Sequence, residues 1–83
     1  MDVRGTVVDV LDRVLQLGAR SKSLQLDSAL LGGIPELDSM AVVGVITALE
    51  ECFGFAVDDD EIDGSTFATL GTLVAFVDAK LGG

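Results

Sequence analysis

Residues 36–54 read Glu36-Leu37-Asp38-Ser39-Met40-Ala41-Val42-Val43-Gly44-Val45-Ile46-Thr47-Ala48-Leu49-Glu50-Glu51-Cys52-Phe53-Gly54. Val42, Val45, Ile46, Leu49 and Phe53 recur at the i, i+3, i+4 spacing that places apolar side chains on one stripe of a helix. Gly54 follows as a stop, because glycine adopts the left-handed conformation in which helices commonly end. The spacing therefore predicts a helix over Ser39 to Phe53. Asp38 and Ser39 at its start are short oxygen-bearing residues of the type that cap the free N–H groups of a first turn.

The same period appears on both sides of this stretch. Upstream, Val7, Val10, Leu11, Val14 and Leu15 form one stripe, with Asp9, Asp12, Arg13 and Gln16 on the other side. Thr6 with Asp9 reads as the cap of this first helix and Gly18 as its stop. Downstream, Leu70, Leu73, Val74, Val77 and Leu81 form the stripe of a last helix, capped by Thr69 and ended by Gly82-Gly83. No segment alternates with period two for long enough to argue a sheet. The expected fold class is all-α, with 1–83 as one domain.

Between the first two helices lie roughly 20 residues without clear periodicity, a length that in a small domain is more often functional than idle. Leu24, Leu26, Leu30, Leu31, Ile34 and Leu37 are spread through them. Such side chains need burial, so the connection is expected to pack across the bundle as ordered structure. Gly32-Gly33 and Pro35 mark a turn shortly before the second helix.

Composition narrows the function. Five basic and fourteen acidic residues give a net charge of −9, which repels phosphate backbones and anionic lipid and attracts basic protein surfaces. Nucleic-acid and membrane partners are not expected. No apolar run approaches the roughly 20 residues that span a bilayer. The first residues lack the basic-then-apolar layout of a secretory signal, so a cytoplasmic location is expected. There is no His, which excludes Ser-His and Cys-His nucleophilic pairs and any His-ligated metal. The lone Cys52 forms no internal disulfide. Its wheel position flanks the core stripe of the second helix, so it is read as a packing residue. An enzyme working unaided is not expected.

The run Asp58-Asp59-Asp60-Glu61-Ile62-Asp63-Gly64 opens like a calcium-binding EF-hand loop counted from Asp59. The twelfth position should be a bidentate Glu and is Leu70, so no metal site is expected. Acidic residues opening a short third helix, at its positive end, account for the run better.

In this order of elements, Asp38-Ser39-Met40 at the junction of the long connection and the second helix resembles the acyl carrier proteins, whose attachment motif is Asp-Ser-Leu at the same place. The likeness extends over nearly the whole chain, including Ala48-Leu49-Glu50-Glu51, Phe53-Gly54 and Phe67-Ala68-Thr69-Leu70. It implies a four-helix bundle with three main helices and one short third helix. It also implies a 4′-phosphopantetheine arm on Ser39, with Asp38 beside it for the transferase. Partners would be a phosphopantetheinyl transferase and acyl-activating and acyl-transferring enzymes, with magnesium held mainly by the transferase, and the carrier a monomer. The first turn of a helix suits an anionic phosphodiester, through its free N–H groups and its dipole.

The chain departs from the family in two places. Met40 stands for the usual Leu. Ala41 and Gly44 stand where carriers of fatty-acid synthesis are acidic, which points to a stand-alone carrier of a specialised bacterial pathway. On a helical wheel the side of the second helix opposite its core stripe displays Met40, Gly44, Thr47 and Glu51, with Val43 and Glu50 on its flank. Partner recognition is therefore expected to be chiefly apolar, with charge in support. The competing reading is an unmodified acidic helical interaction module, which differs from a carrier only in the state of Ser39.

Overall fold

The computed structural model describes residues 2–82, with the side chain of Asp59 outside the description. Helix α1 spans Val3–Leu15, α2 spans Ser39–Phe53 and α3 spans Leu70–Lys80, with 3-10 segments at Gly18–Ser23 and Asp59–Glu61. The all-α expectation holds. The short third helix is a single 3-10 turn, and the long connection contains a 3-10 segment that no apolar period announced. Among the described residues no helix is long and apolar enough to cross a membrane.

The ends of α2 and α3 fall where their caps predicted. Gly54 closes α2 at φ 76°, a region that glycine enters without the steric cost of a Cβ. Thr69 and Thr72 form a reciprocal capping box that opens α3. Gly82 follows α3 with a positive φ, and Gly83 lies outside the described residues. Both ends of α1 differ from expectation. Asp2, not Thr6 with Asp9, is its cap, accepting from the Gly5 N–H at 3.1 Å. Gln16, not Gly18, takes the left-handed conformation that ends it.

Helix α1 packs against both α2 and α3. Val7, Val10, Leu11 and Leu15 meet Val45 and Leu49 of α2 and Leu70, Leu73 and Val77 of α3 in one buried core. Each such side chain contributes about 1.5–3 kcal/mol when fully buried. Val14, Val42, Ile46, Phe53 and Val74 lie at the edges of that core, partly buried. Leu81, assigned to the α3 stripe, is exposed, because α3 ends at Lys80 before turning it inward.

The connection from α1 to α2 is ordered by backbone pairing as well as by burial. The Leu30 N–H donates to the Ala68 carbonyl and the Leu31 N–H to that of Phe67, each at 3.0 Å. Farther along, the Leu70 N–H donates to the Ser28 carbonyl at 3.0 Å and the Gly71 N–H to that of Leu26 at 2.8 Å. These bonds lay the connection against the chain entering α3, with one antiparallel bridge between Ala29 and Thr69. Leu30, Ile34 and Leu37 are consequently buried, and so is Phe67. Leu26 and Leu31 stay exposed, contrary to the expectation that the apolar residues of this segment would be covered. Gly33 is required in the turn because a Cβ there would overlap the Ala29 backbone carbonyl.

Candidate functional site

Leu37 is buried and anchors the chain just before α2. The Leu37 N–H donates to the Ile34 carbonyl at 3.0 Å. One residue earlier, both Glu36 carboxylate oxygens accept from the Arg20 guanidinium, which holds the Glu36 carboxyl below its ordinary range. Arg20 and Glu36 are sixteen positions apart, the first in the 3-10 segment and the second in the turn before α2. No sequence period could have paired them.

Asp38 is the N-cap of α2. Its Oδ1 accepts from the Ala41 N–H at 2.8 Å, and its carbonyl accepts from the Val42 N–H at 2.9 Å. Ser39, the first residue of the helix, is exposed. Its hydroxyl and the N–H groups of Ser39 and Met40 have no protein partner among the described residues. A free hydroxyl thus stands beside two free donors at the positive end of a 15-residue helix.

The surroundings of Ser39 are apolar. Met40 is 81% exposed, Val43 64% and Leu31 40%. A groove of about 270 Å³ opens beside Ser39, walled by Leu31, Val42, Ile62, Gly64 and Phe67, with Asp63 as its one charged wall residue. A second, of about 280 Å³, continues along α2 between Val43, Ile46 and Thr47 on one side and Val57, Asp58 and Ile62 on the other. Val42 and Ile62 belong to both. Sequence reasoning missed these walls. The signal was available in Leu31 and Ile62, apolar residues in irregular segments that belong to no helical stripe.

The 58–66 segment that walls both grooves is fixed by its own carboxylates. Glu61 accepts from the Asp58 N–H at 2.8 Å and from Lys80 Nζ at 2.9 Å, and these bonds lower its pKa. Asp63 accepts from the Ser65 hydroxyl and from the N–H groups of Ser65 and Thr66, with the same effect, chiefly through the hydroxyl. Among the described residues no group of three or more His, Cys, Asp and Glu is placed to hold a metal. Leu70, at the position an EF-hand needs for its last ligand, is fully buried.

The six residues expected on the partner face of α2 do not share one environment. Met40, Val43 and Thr47 are exposed, and Val43 and Thr47 line the second groove. Gly44 is turned toward α1, where a Cβ would sit 3.5 Å from Val14 Cγ1. Glu51 lies on that side as well, in a depression shared with Arg13, Val14, Ala48 and Cys52. Glu50 lines the second groove, but its Oε2 accepts from the Val57 N–H at 2.8 Å, so it ties down the segment after α2. Cys52, read as a packing residue, is exposed.

A helical bundle with a pinned first connection and an exposed serine opening its second main helix has the architecture of a carrier domain. The sequence matches the family model described as phosphopantetheine attachment site over residues 3–77. The chain belongs to that family, the acyl carrier proteins. The solution NMR structure of a holo acyl carrier protein from Nitrosomonas europaea is 58% identical, with all of each chain covered and a TM-score of 0.91. No curated relative matches the sequence. Members of the family are carriers rather than enzymes, and their cofactor is covalently bound 4′-phosphopantetheine. The start of α2 fits such a group, since the two free N–H donors suit a phosphodiester and the flanking grooves suit an aliphatic arm.

Proposed function

We propose that Ser39 is the residue that bears the arm, and that the chain carries acyl, aminoacyl or polyketide intermediates through a specialised cytoplasmic pathway. The observation that carries this reading is the free Ser39 hydroxyl beside the unpartnered N–H groups of Ser39 and Met40. In the transfer reaction Ser39 Oγ attacks the pantetheine-side phosphorus of the coenzyme A pyrophosphate. The bond to the other phosphate breaks, adenosine 3′,5′-bisphosphate leaves, and the serine proton passes to a base on the transferase. Magnesium, held by the transferase, offsets the charge of the pyrophosphate. Asp38 fixes the first turn through Oδ1 and keeps its second carboxylate oxygen for the transferase. Once attached, the arm supplies a terminal thiol that holds cargo as a thioester.

Met40, Val43 and Thr47 form the face that partner enzymes touch. Gly44, Glu50 and Glu51 support it through packing, loop anchoring and long-range charge. Incubation with coenzyme A and a broad-specificity phosphopantetheinyl transferase tests the reading. Intact mass should rise by one arm in the native chain and not in Ser39→Ala, whose helicity should be unchanged. A gain that persists in Ser39→Ala would remove the assignment. No gain in the native chain would favour the unmodified interaction module.

A further inference from the structure

The entry to α2 is held from two sides. Inside, Leu37 is buried and its N–H donates to the Ile34 carbonyl at 3.0 Å. Outside, Glu36 is held by Arg20, whose Nη1 donates to Oε1 at 3.3 Å while Nη2 donates to Oε2. From Glu36 the contacts run on toward Ser39. The Glu36 carbonyl accepts from the Asp38 N–H at 3.1 Å, and Asp38 Oδ1 caps α2 through the Ala41 N–H. Arg20 is thereby linked to the first turn of α2 through two residues, although it lies in the 3-10 segment that follows α1.

The turn before this entry carries two adjacent glycines, Gly32 and Gly33, the first at φ 83°. Glycine leaves the chain more conformations to choose from than any other residue, so the turn does not by itself fix the direction of residues 36–38. The Arg20–Glu36 pair is open to solvent, with side chains 54% and 38% exposed. Such a pair adds little to global stability. It does fix direction, because the planar guanidinium fork meets both carboxylate oxygens at once. Lys22, the other cation of the 3-10 segment, is exposed and has no carboxylate partner among the described residues.

We infer that Arg20 and Glu36 are a positioning pair for arm transfer: together they hold the entry to α2, and with it Ser39, in the conformation that the transferase accepts. The inference rests on the proposed role of Ser39 and adds to it two residues outside the attachment motif. Neither touches the reacting atoms. Their effect reaches Ser39 through the Glu36 carbonyl and the Asp38 cap.

The test uses the full apo chain, saturating coenzyme A and a broad-specificity phosphopantetheinyl transferase, with initial rates of arm transfer read by intact mass over a range of carrier concentrations. When only a fraction of the chains holds the competent entry, apparent affinity falls by that fraction while the rate at saturation is kept. Arg20→Gln and Glu36→Gln should each raise KM for the carrier about two- to fivefold, the range over which an exposed pair shifts a local equilibrium, with kcat unchanged. The two changes move net charge in opposite directions, so a common rise isolates the pair. Lys22→Gln removes the same charge as Arg20→Gln from the same segment and should change KM by less than about 1.5-fold. Arg20→Glu combined with Glu36→Arg rebuilds the pair in reverse and should return KM to within about 1.5-fold of native. Amide hydrogen exchange, which needs no transferase, should quicken at Asp38 and Ala41 in Arg20→Gln and stay unchanged at Leu73 of α3. Circular dichroism confirms that each variant is folded. Failure of the reversed pair to restore KM would show that the transferase reads Arg20 or Glu36 directly, which overturns the inference. Equal effects of Arg20→Gln and Lys22→Gln would show that only net charge matters, which also overturns it. A native chain that takes no arm would fall on the Ser39 reading, whereas unchanged exchange at Asp38 and Ala41 in Arg20→Gln would overturn the positioning pair by itself.

Discussion

Asp38 caps α2 and, in the function proposed above, also meets the transferase; replacing it by Ala and by Asn separates the two. Its Oδ1 accepts the Ala41 N–H at 2.8 Å, the only side-chain cap of α2. Asp38→Ala leaves that donor without its partner, a loss that costs about 0.5–2 kcal/mol at an N-cap. Removing the negative charge from the positive end of the helix costs about 0.3–1 kcal/mol more. For a domain of this size each kcal/mol moves the melting temperature by about 4–8 °C. Asp38→Ala should therefore melt roughly 3–24 °C below the native chain, on the same scaling. Asn keeps an acceptor of the same shape, so Asp38→Asn should lose only the charge part and melt within about 2–8 °C of native. Thermal unfolding by far-ultraviolet circular dichroism measures both. Arm-transfer rates on the same proteins then separate capping from direct contact. If Asn restores stability but not the rate, the second carboxylate oxygen acts on the transferase. An Asp38→Ala chain as stable as the native one, or an Asn variant as unstable as Ala, would refute the capping argument.

Two further outcomes follow from the geometry. Gly44 sits inside a helix with helical backbone, and a Cβ there would make an ordinary contact with Val14 Cγ1 at 3.5 Å. Gly44→Ala should stabilise the chain by about 0.5–1 kcal/mol through helix propensity, raising the midpoint of urea unfolding. An unchanged or lowered midpoint would show that the α1–α2 contact has no room for a methyl group. Acid should loosen the 58–66 segment. Glu61 and Asp63 have pKa values lowered in the folded state from ordinary values of 4.5 and 3.8. Their bonds therefore stabilise the fold fully above those values, and the contribution is lost as pH falls through the lowered ones. The melting temperature should decline below about pH 5, less steeply in Glu61→Gln. Equal slopes in the two proteins would remove Glu61 from the account.

Local signals in the sequence were sufficient where an element is decided by its own residues. The stripe Val45 and Leu49, the glycine at 54 and the acidic cap at 38 each act within one turn, and α2 lies where they place it. The same holds for α3, whose capping box is written in Thr69 and Thr72. The start of α1 was misplaced because Thr6 and Asp9 carry the same capping chemistry as Asp2, and only the backbone conformation at Asp2 selects among them.

What could not be read were the contacts made by the segments between the main helices. The pairing of 26–31 with 67–71, the Arg20–Glu36 clamp and the Glu50–Val57 bond join residues whose separation follows no period. Those contacts decide the character of the site. A helical wheel treats α2 as a free cylinder and so gives Gly44, Glu50 and Glu51 to its partner face. In the folded chain α1 takes Gly44, and the loop after α2 takes Glu50. What remains beside Ser39 is Met40, Val43 and Thr47, with Ile62 and Asp58 contributed by a segment the wheel does not contain. The motif thus identifies where the arm would be attached. The recognition surface proposed here, by contrast, is tertiary, since it joins α2 residues to residues of the segment that follows.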